Sequence, residues 1–158
     1  MFELSFHVPY YALRNSHNSD HRKDRHTPLR AVEDVPFLSW NRAGKSFLHE
    51  AHVSCVVAGT DERRYVGYCF VDTYFDRGGQ TRESVREYEA DSEAVTVQAG
   101  RVLHVDPFTL GNTFADPPIE DPRAYFLTVF RYRISQVTCE WQKVVSMVKK
   151  SIREYEQV

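Results

Sequence analysis

The chain reads as an α+β domain in which a central, mostly antiparallel sheet or a small barrel packs against one long C-terminal helix. Three observations predict this. The segment from Asp121 to Gln157, DPRAYFLTVFRYRISQVTCEWQKVVSMVKKSIREYEQ, has no Gly at all and no Pro after Pro122. Positions 49–58 and 65–74 are two β-rich runs joined by GTDERR, which reads as a hairpin. Phe2, Leu4, Phe6 and Val8 alternate with polar residues, the period of a half-buried strand.

In chain order, Pro9 stops the strand that runs from Phe2 to Val8, because it cannot donate to a ladder, and an N-terminal edge strand fits. The stretch NSHNSDHRKDRHTP that follows is polar and without periodicity, and reads as a mobile loop at about 15–28. It holds His17, His21 and His26. The 17/21 spacing would place two imidazoles on one helical face, but no cysteine or further ligand accompanies them, so no metal is assigned. DVPFLSW at 34–40 should tuck Phe37, Leu38 and Trp40 against the core. The AGKS at 43–46 lacks a phosphate-loop glycine five residues before Gly44, where Ser39 stands.

The hairpin at 49–74 carries the sharpest expectation. If its turn centres on Glu62, then 53 faces 71, 55 faces 69 and 57 faces 67 on one side. On the other side His52 faces Asp72, 54 faces 70 and 56 faces 68. Both faces are apolar enough to be covered. Cys55 opposite Cys69 reads as buried free thiols, with a redox or metal pair as the rival reading. An imidazole beside a carboxylate is the arrangement of a general-base dyad, which makes His52 and Asp72 the catalytic candidates; the plainer reading is an ion pair at the strand ends. The spacing of Asp72 and Asp76 is a weak echo of a magnesium-binding acid pair. Thr81 caps a short helix to about Ala90, Val95 to Val105 forms a strand or loop, and the proline-rich stretch 106–121 is a connector.

The final helix starts at Asp121 as cap, with Pro122 at the first helical position. Leu127, Phe130, Ile134, Val137, Trp141, Val144, Val148 and Tyr155 recur at steps of three and four, as in a seam that wants a partner. At about 1.5 Å per residue the helix spans roughly 55 Å, so its end at about 143–158 should project from a single domain covering 1–158. Trp141, Val144, Val148 and Tyr155 are the expected interface residues, and the partner is a second copy or another helix.

Composition limits the function classes. A chain of 158 residues, 42% apolar, can bury a core without disulfides. Three cysteines with no signal sequence ahead of them suggest a cytoplasmic, reducing setting. No run of about 18 apolar residues suggests a membrane span. The net charge of −2 and the separation of aromatic from basic residues argue against nucleic acid. The charge is uneven: residues 72–121 carry four positive and eleven negative side chains, against seven and three in 122–158. Two functions follow as expectations. One is a non-enzymatic regulatory or assembly module acting through the helix. The other is a small-molecule-binding protein or small enzyme with a pocket between sheet and helix, lined by Tyr68, Phe70, Tyr74, Phe126 and Trp141, with His52 and Asp72 as its polar pair. Neither requires a cofactor.

SFLHEAHVSCVVAGTDERRYVGYCFVDTYFD, ESVREYEAD and DPRAYFLTVFRYRISQVTCEWQKVV resemble the N-terminal, non-membrane part of uncharacterised fungal proteins described as CorA-like magnesium transporters. The likeness runs from about Val8 to Val145. It implies an α+β module whose last helix leads into further helices. That family's transport rests on two transmembrane helices and a Gly-Met-Asn motif, which this sequence lacks, so neither transport nor any functional residue carries over.

Overall fold

A computed structural model describes residues 1–38, 45–61, 64–76, 96–98, 101–103, 105–115 and 117–156; of 96–98 and 101–103 only the backbone is described. The strands are β1 (Phe2–Arg14), β2 (Lys23–Asp24), β3 (Thr27–Pro28), β4 (Val32–Asp34), β5 (Phe47–Asp61), β6 (Arg64–Val71), β7 (Thr96–Gln98) and β8 (Arg101–Leu103). Short 3-10 turns occupy Pro36–Leu38 and Pro107–Thr109, and among the described residues one α-helix, α1, runs Pro122–Glu156. This is the expected α+β fold, but β1 does not stop at Pro9: it runs on to Arg14, since a proline whose missing donor faces away from β5 breaks no ladder bond. The sheet is open, not closed into a barrel: β1 lies along one side of β5, while β4 and β6 share its other side.

The hairpin register is the one read from the sequence. Val53 faces Val71, Cys55 faces Cys69 and Val57 faces Gly67, with Ser54–Phe70 and Val56–Tyr68 between them. Only one face is covered, however. Phe6, Val8, Tyr10 and Ala12 of β1, with Ala51, Val53, Cys55 and Val57 of β5, meet α1. The opposite face leaves Val66, Tyr68 and Phe70 exposed, Phe70 at 64%. The expectation of a two-sided cover fails because these cross-strand apolar pairs have no layer against them among the described residues.

Gly67 lets the helix side come close. A side-chain carbon there would stand 3.2 Å from the Phe108 ring and 3.4 Å from that of Tyr125, so a larger residue would push both rings off the sheet.

Helix α1 begins as expected. The Asp121 carboxylate accepts the Arg123 N–H at 2.9 Å, which satisfies one of the orphan donors of the first turn. Its inward row differs from the predicted seam. Beyond Pro122 in the first turn, Val129, Arg133, Val137, Glu140, Val144 and Met147 are the buried positions, with steps of four, four, three, four and three. Two of the six are charged, so a search for apolar periodicity alone settles one step to the side.

The expected projecting end is also shorter than 143–158. Val144 and Met147 pack on Leu13, Val35 and Leu38, with Val148 half-buried beside them, and Ser151 Oγ donates to the Phe37 carbonyl at 2.6 Å. Val144 is therefore a core residue, not an interface residue. Past Ser151 the described positions, Ile152 to Glu156, are exposed. Leu38 is tucked in as expected, but Phe37 is 69% exposed, and Trp40 lies outside the described residues.

The segment expected as a loop carries the β2–β3 hairpin, with Arg25 in the left-handed region at φ 58°. It is anchored through Asp20, which is buried and accepts both the Arg22 N–H and the Arg22 guanidinium. The helix expected at 81–90 lies outside the described residues, whereas 95–105 contains β7 and β8.

Candidate functional site

His52 and Asp72 stand opposite each other, yet the dyad does not form. The Asp72 N–H donates to the His52 carbonyl at 3.0 Å, and the Asp72 carboxylate accepts the His52 N–H at 2.9 Å. The carboxylate thus completes a backbone ladder where the strand ends and never meets the imidazole. Arg30 Nε donates to it at 2.7 Å and the Arg22 guanidinium binds its other oxygen. Burial alone would raise the Asp72 carboxyl, but the bonds from Arg30, Arg22 and the His52 N–H outweigh it and hold the group below the usual carboxylate range. A carboxylate held by two guanidinium groups is a strut, not a base. The His52 ring instead leans on His7, centroids 4.7 Å apart, and its Nε2 lies 3.3 Å from Glu50 Oε1.

The five residues expected to line one pocket are dispersed. Tyr68 and Phe70 sit on the open sheet face. The Tyr74 hydroxyl donates to the Glu50 carbonyl at 2.7 Å, Phe126 meets Phe6 edge to face, and Trp141 meets Tyr11 at 5.9 Å. Among the three loop histidines, His17 packs its ring edge on Phe47 at 5.1 Å and His26 lies in the β2–β3 turn. Among the described residues no group of three or more His, Cys, Asp or Glu side chains is placed to hold a metal.

The structure offers a different cavity, of about 740 Å³, between β6, the 105–120 connector and the start of α1. Tyr65, Phe108, Phe114 and Tyr125 are its aromatic walls, with Arg64 and Glu120 also on them, and Asp106 reaches it from the connector. The Asp106 side chain accepts the Phe108 N–H at 2.8 Å, capping the 3-10 turn, and Tyr125 hydrogen-bonds the same carboxyl. Burial raises the Asp106 carboxyl above its ordinary value despite those bonds and the nearby Arg133. Arg133 itself is 1% exposed; Nη2 donates to the Pro107 carbonyl at 2.8 Å, and its Nε has no partner. The sequence showed 106–121 as a proline-rich connector only. The usable signal was an Asp-Pro step with two phenylalanines close behind it, in a stretch where turns need no large rings.

Along α1 a second apolar row runs beside the buried one. Leu127, Trp141, Val145, Ile152 and Tyr155 are exposed, Leu127 at 61% and Tyr155 at 85%, and Phe130, Ile134 and Val148 are half-buried among them. From 127 to 155 the steps are three or four, with Thr138 the one polar member. Comparison with protein families, curated proteins and solved structures finds no match. Among the described residues, no helix is long and apolar enough to cross a membrane.

Proposed function

We propose that this chain is a non-enzymatic, cytoplasmic assembly module that pairs with a second copy of itself through the outer flank of α1. The exposed row at Leu127, Trp141, Val145, Ile152 and Tyr155 carries this reading. A helix that already spends one face on its own sheet has no internal use for a second apolar row at coiled-coil spacing. Contiguous apolar surface of that kind marks an interaction site. The resemblance to the soluble part of fungal CorA-like proteins, in which such a helix leads into further helices, supports the same reading. Of the interface residues read from the sequence, Trp141 and Tyr155 remain and Val148 contributes an edge, while Val145 and Ile152 replace Val144.

Light scattering at micromolar concentration should give twice the chain mass. A Trp141→Glu, Ile152→Glu double variant should give the single mass, and a Tyr68→Ser, Phe70→Ser variant on the open sheet face should stay doubled. A monomeric wild type, or a dimer broken by the sheet variant and untouched by the helix variant, removes the proposal.

A second reading is favoured by the buried Asp106 carboxyl on the 740 Å³ aromatic cavity. A mostly apolar cleft with one placed polar group suits a flat aromatic amine, stacked between rings with its nitrogen toward the carboxyl. Tryptamine is a suitable probe in calorimetry. Phe114→Ala, at a half-exposed wall, should weaken it about tenfold, the equivalent of about 1.4 kcal/mol. Equal affinity in wild type and variant would rule the cleft out as the site.

A further inference from the structure

The two cysteines of the hairpin form a chemical unit that neither function above uses. Cys55 and Cys69 are direct partners across β5 and β6. The bond from the Asp72 N–H to the His52 carbonyl marks 52/72 as a hydrogen-bonded pair, so by ladder alternation 55/69, three residues along, is a non-hydrogen-bonded pair. In such pairs the Cα atoms stand about 4.5 Å apart with side chains on one face, inside the roughly 4.4–6.8 Å that a disulfide spans. Both side chains lie on the covered face, in one cluster with Val57 and Val129.

Their surroundings are not those of inert core thiols. Arg133, 1% exposed and with an unpartnered Nε, reaches from α1 to the wall of the same cavity as Cys69. The hydrogen bond from Cys55, helped by the Arg133 charge, draws the Cys69 thiol down to about 7 against the opposing effects of burial and of Asp106. The same sharing of one proton, together with burial, pushes the Cys55 thiol up. Access is also unequal. Cys55 is fully buried, whereas Cys69 is half-buried and forms the wall of a cavity of about 390 Å³ together with Arg133 and Phe108.

We propose that Cys55 and Cys69 are a two-thiol redox site that exchanges with low-molecular-weight disulfides of the glutathione type, Cys69 attacking and Cys55 resolving. The Cys69 thiolate displaces one thiol from the small disulfide and forms a mixed disulfide with its other half. Cys55 then attacks the Cys69 sulfur and expels that second half. Two protein S–H groups become one S–S bond, the small disulfide becomes two thiols, and the protons lost by the cysteines end on those thiols. Arg133 acts as a positioning residue that favours the thiolate.

Cys139, exposed on α1, is a built-in control with neither arrangement. Full-length protein is incubated with glutathione disulfide, remaining thiols are alkylated, and intact and peptide masses are read. The expected product carries a Cys55–Cys69 disulfide, two hydrogens lighter and without retained glutathione there, while Cys139 keeps its adduct. Cys55→Ser should trap glutathione on Cys69, and Cys69→Ser should leave Cys55 free. Two alkylated thiols at 55 and 69 in the unsubstituted chain, or glutathione left on Cys69 there, would overturn the proposal. That measurement needs no variant of the pair to fold.

Discussion

The Tyr10 hydroxyl is buried under α1 with no hydrogen-bond partner, while its ring packs edge-on against Phe75 at 6.4 Å. A buried unsatisfied hydroxyl costs desolvation that its loss restores. Tyr10→Phe should therefore stabilise the fold by about 1 kcal/mol in urea denaturation. A loss of stability would mean that the hydroxyl has a partner in solution. Single residues were the least legible level of this chain. That 52 would face 72 followed from period-two alternation alone. What the Asp72 carboxylate would bind did not, because Arg22 and Arg30 arrive from a stretch with no periodic signal. Arg133 and Glu140 were hidden for the opposite reason, as charges in the middle of an inward helical row.

At the level of elements, two carboxylates act as ties, and their protonation should loosen the fold. Asp72 holds the segment bearing Arg22 and Arg30 to the end of the hairpin. Glu140 holds α1 to β1 through a two-pronged contact with Arg14, at 2.7 and 3.0 Å, and takes Lys143 at 2.8 Å. Burial opposes the charge of Glu140, but Arg14 and Lys143 prevail and its folded value lies below the ordinary one. Groups lowered in this way stabilise the protein above the ordinary carboxylate value near 4, and that stabilisation is lost as pH falls. His49 adds an earlier step. Burial lowers its folded value, its Nε2–H donating to the Ser16 carbonyl at 3.0 Å. Its neutral form is favoured by the fold, so stability should decline once pH drops below about 6.5. Thermal melts from pH 7.5 to 3 should show both declines. His49→Gln should remove the first, and Glu140→Gln should soften the second. A melting temperature flat between pH 7 and 5 in the wild type would refute the His49 assignment. The helix and hairpin themselves were legible, since each obeys one long period with a cap or turn at its end. The helix's facing was not, because facing depends on which neighbours accept Arg133 and Glu140.

For the whole molecule, α+β architecture follows from one capped helix and three period-two runs, and the open sheet could not be told from a barrel because edge closure leaves no local mark. The candidate cleft was invisible for a related reason, being built where a connector meets a strand and a helix start. Even-numbered residues of β5 bond toward β4 and β6, as the Glu50 N–H to Ala31 and the Asp72 N–H to His52 show, so β1 is held by its own even-numbered residues. Its odd-numbered residues from Glu3 to Tyr11 carry the outward backbone groups, with no strand paired to them among the described residues, and Pro9 falls in the middle of that rim. An incoming strand would find a missing donor and a ring in the way at the halfway point. A second chain that tried to extend the sheet along β1 would thus be turned away at its midpoint.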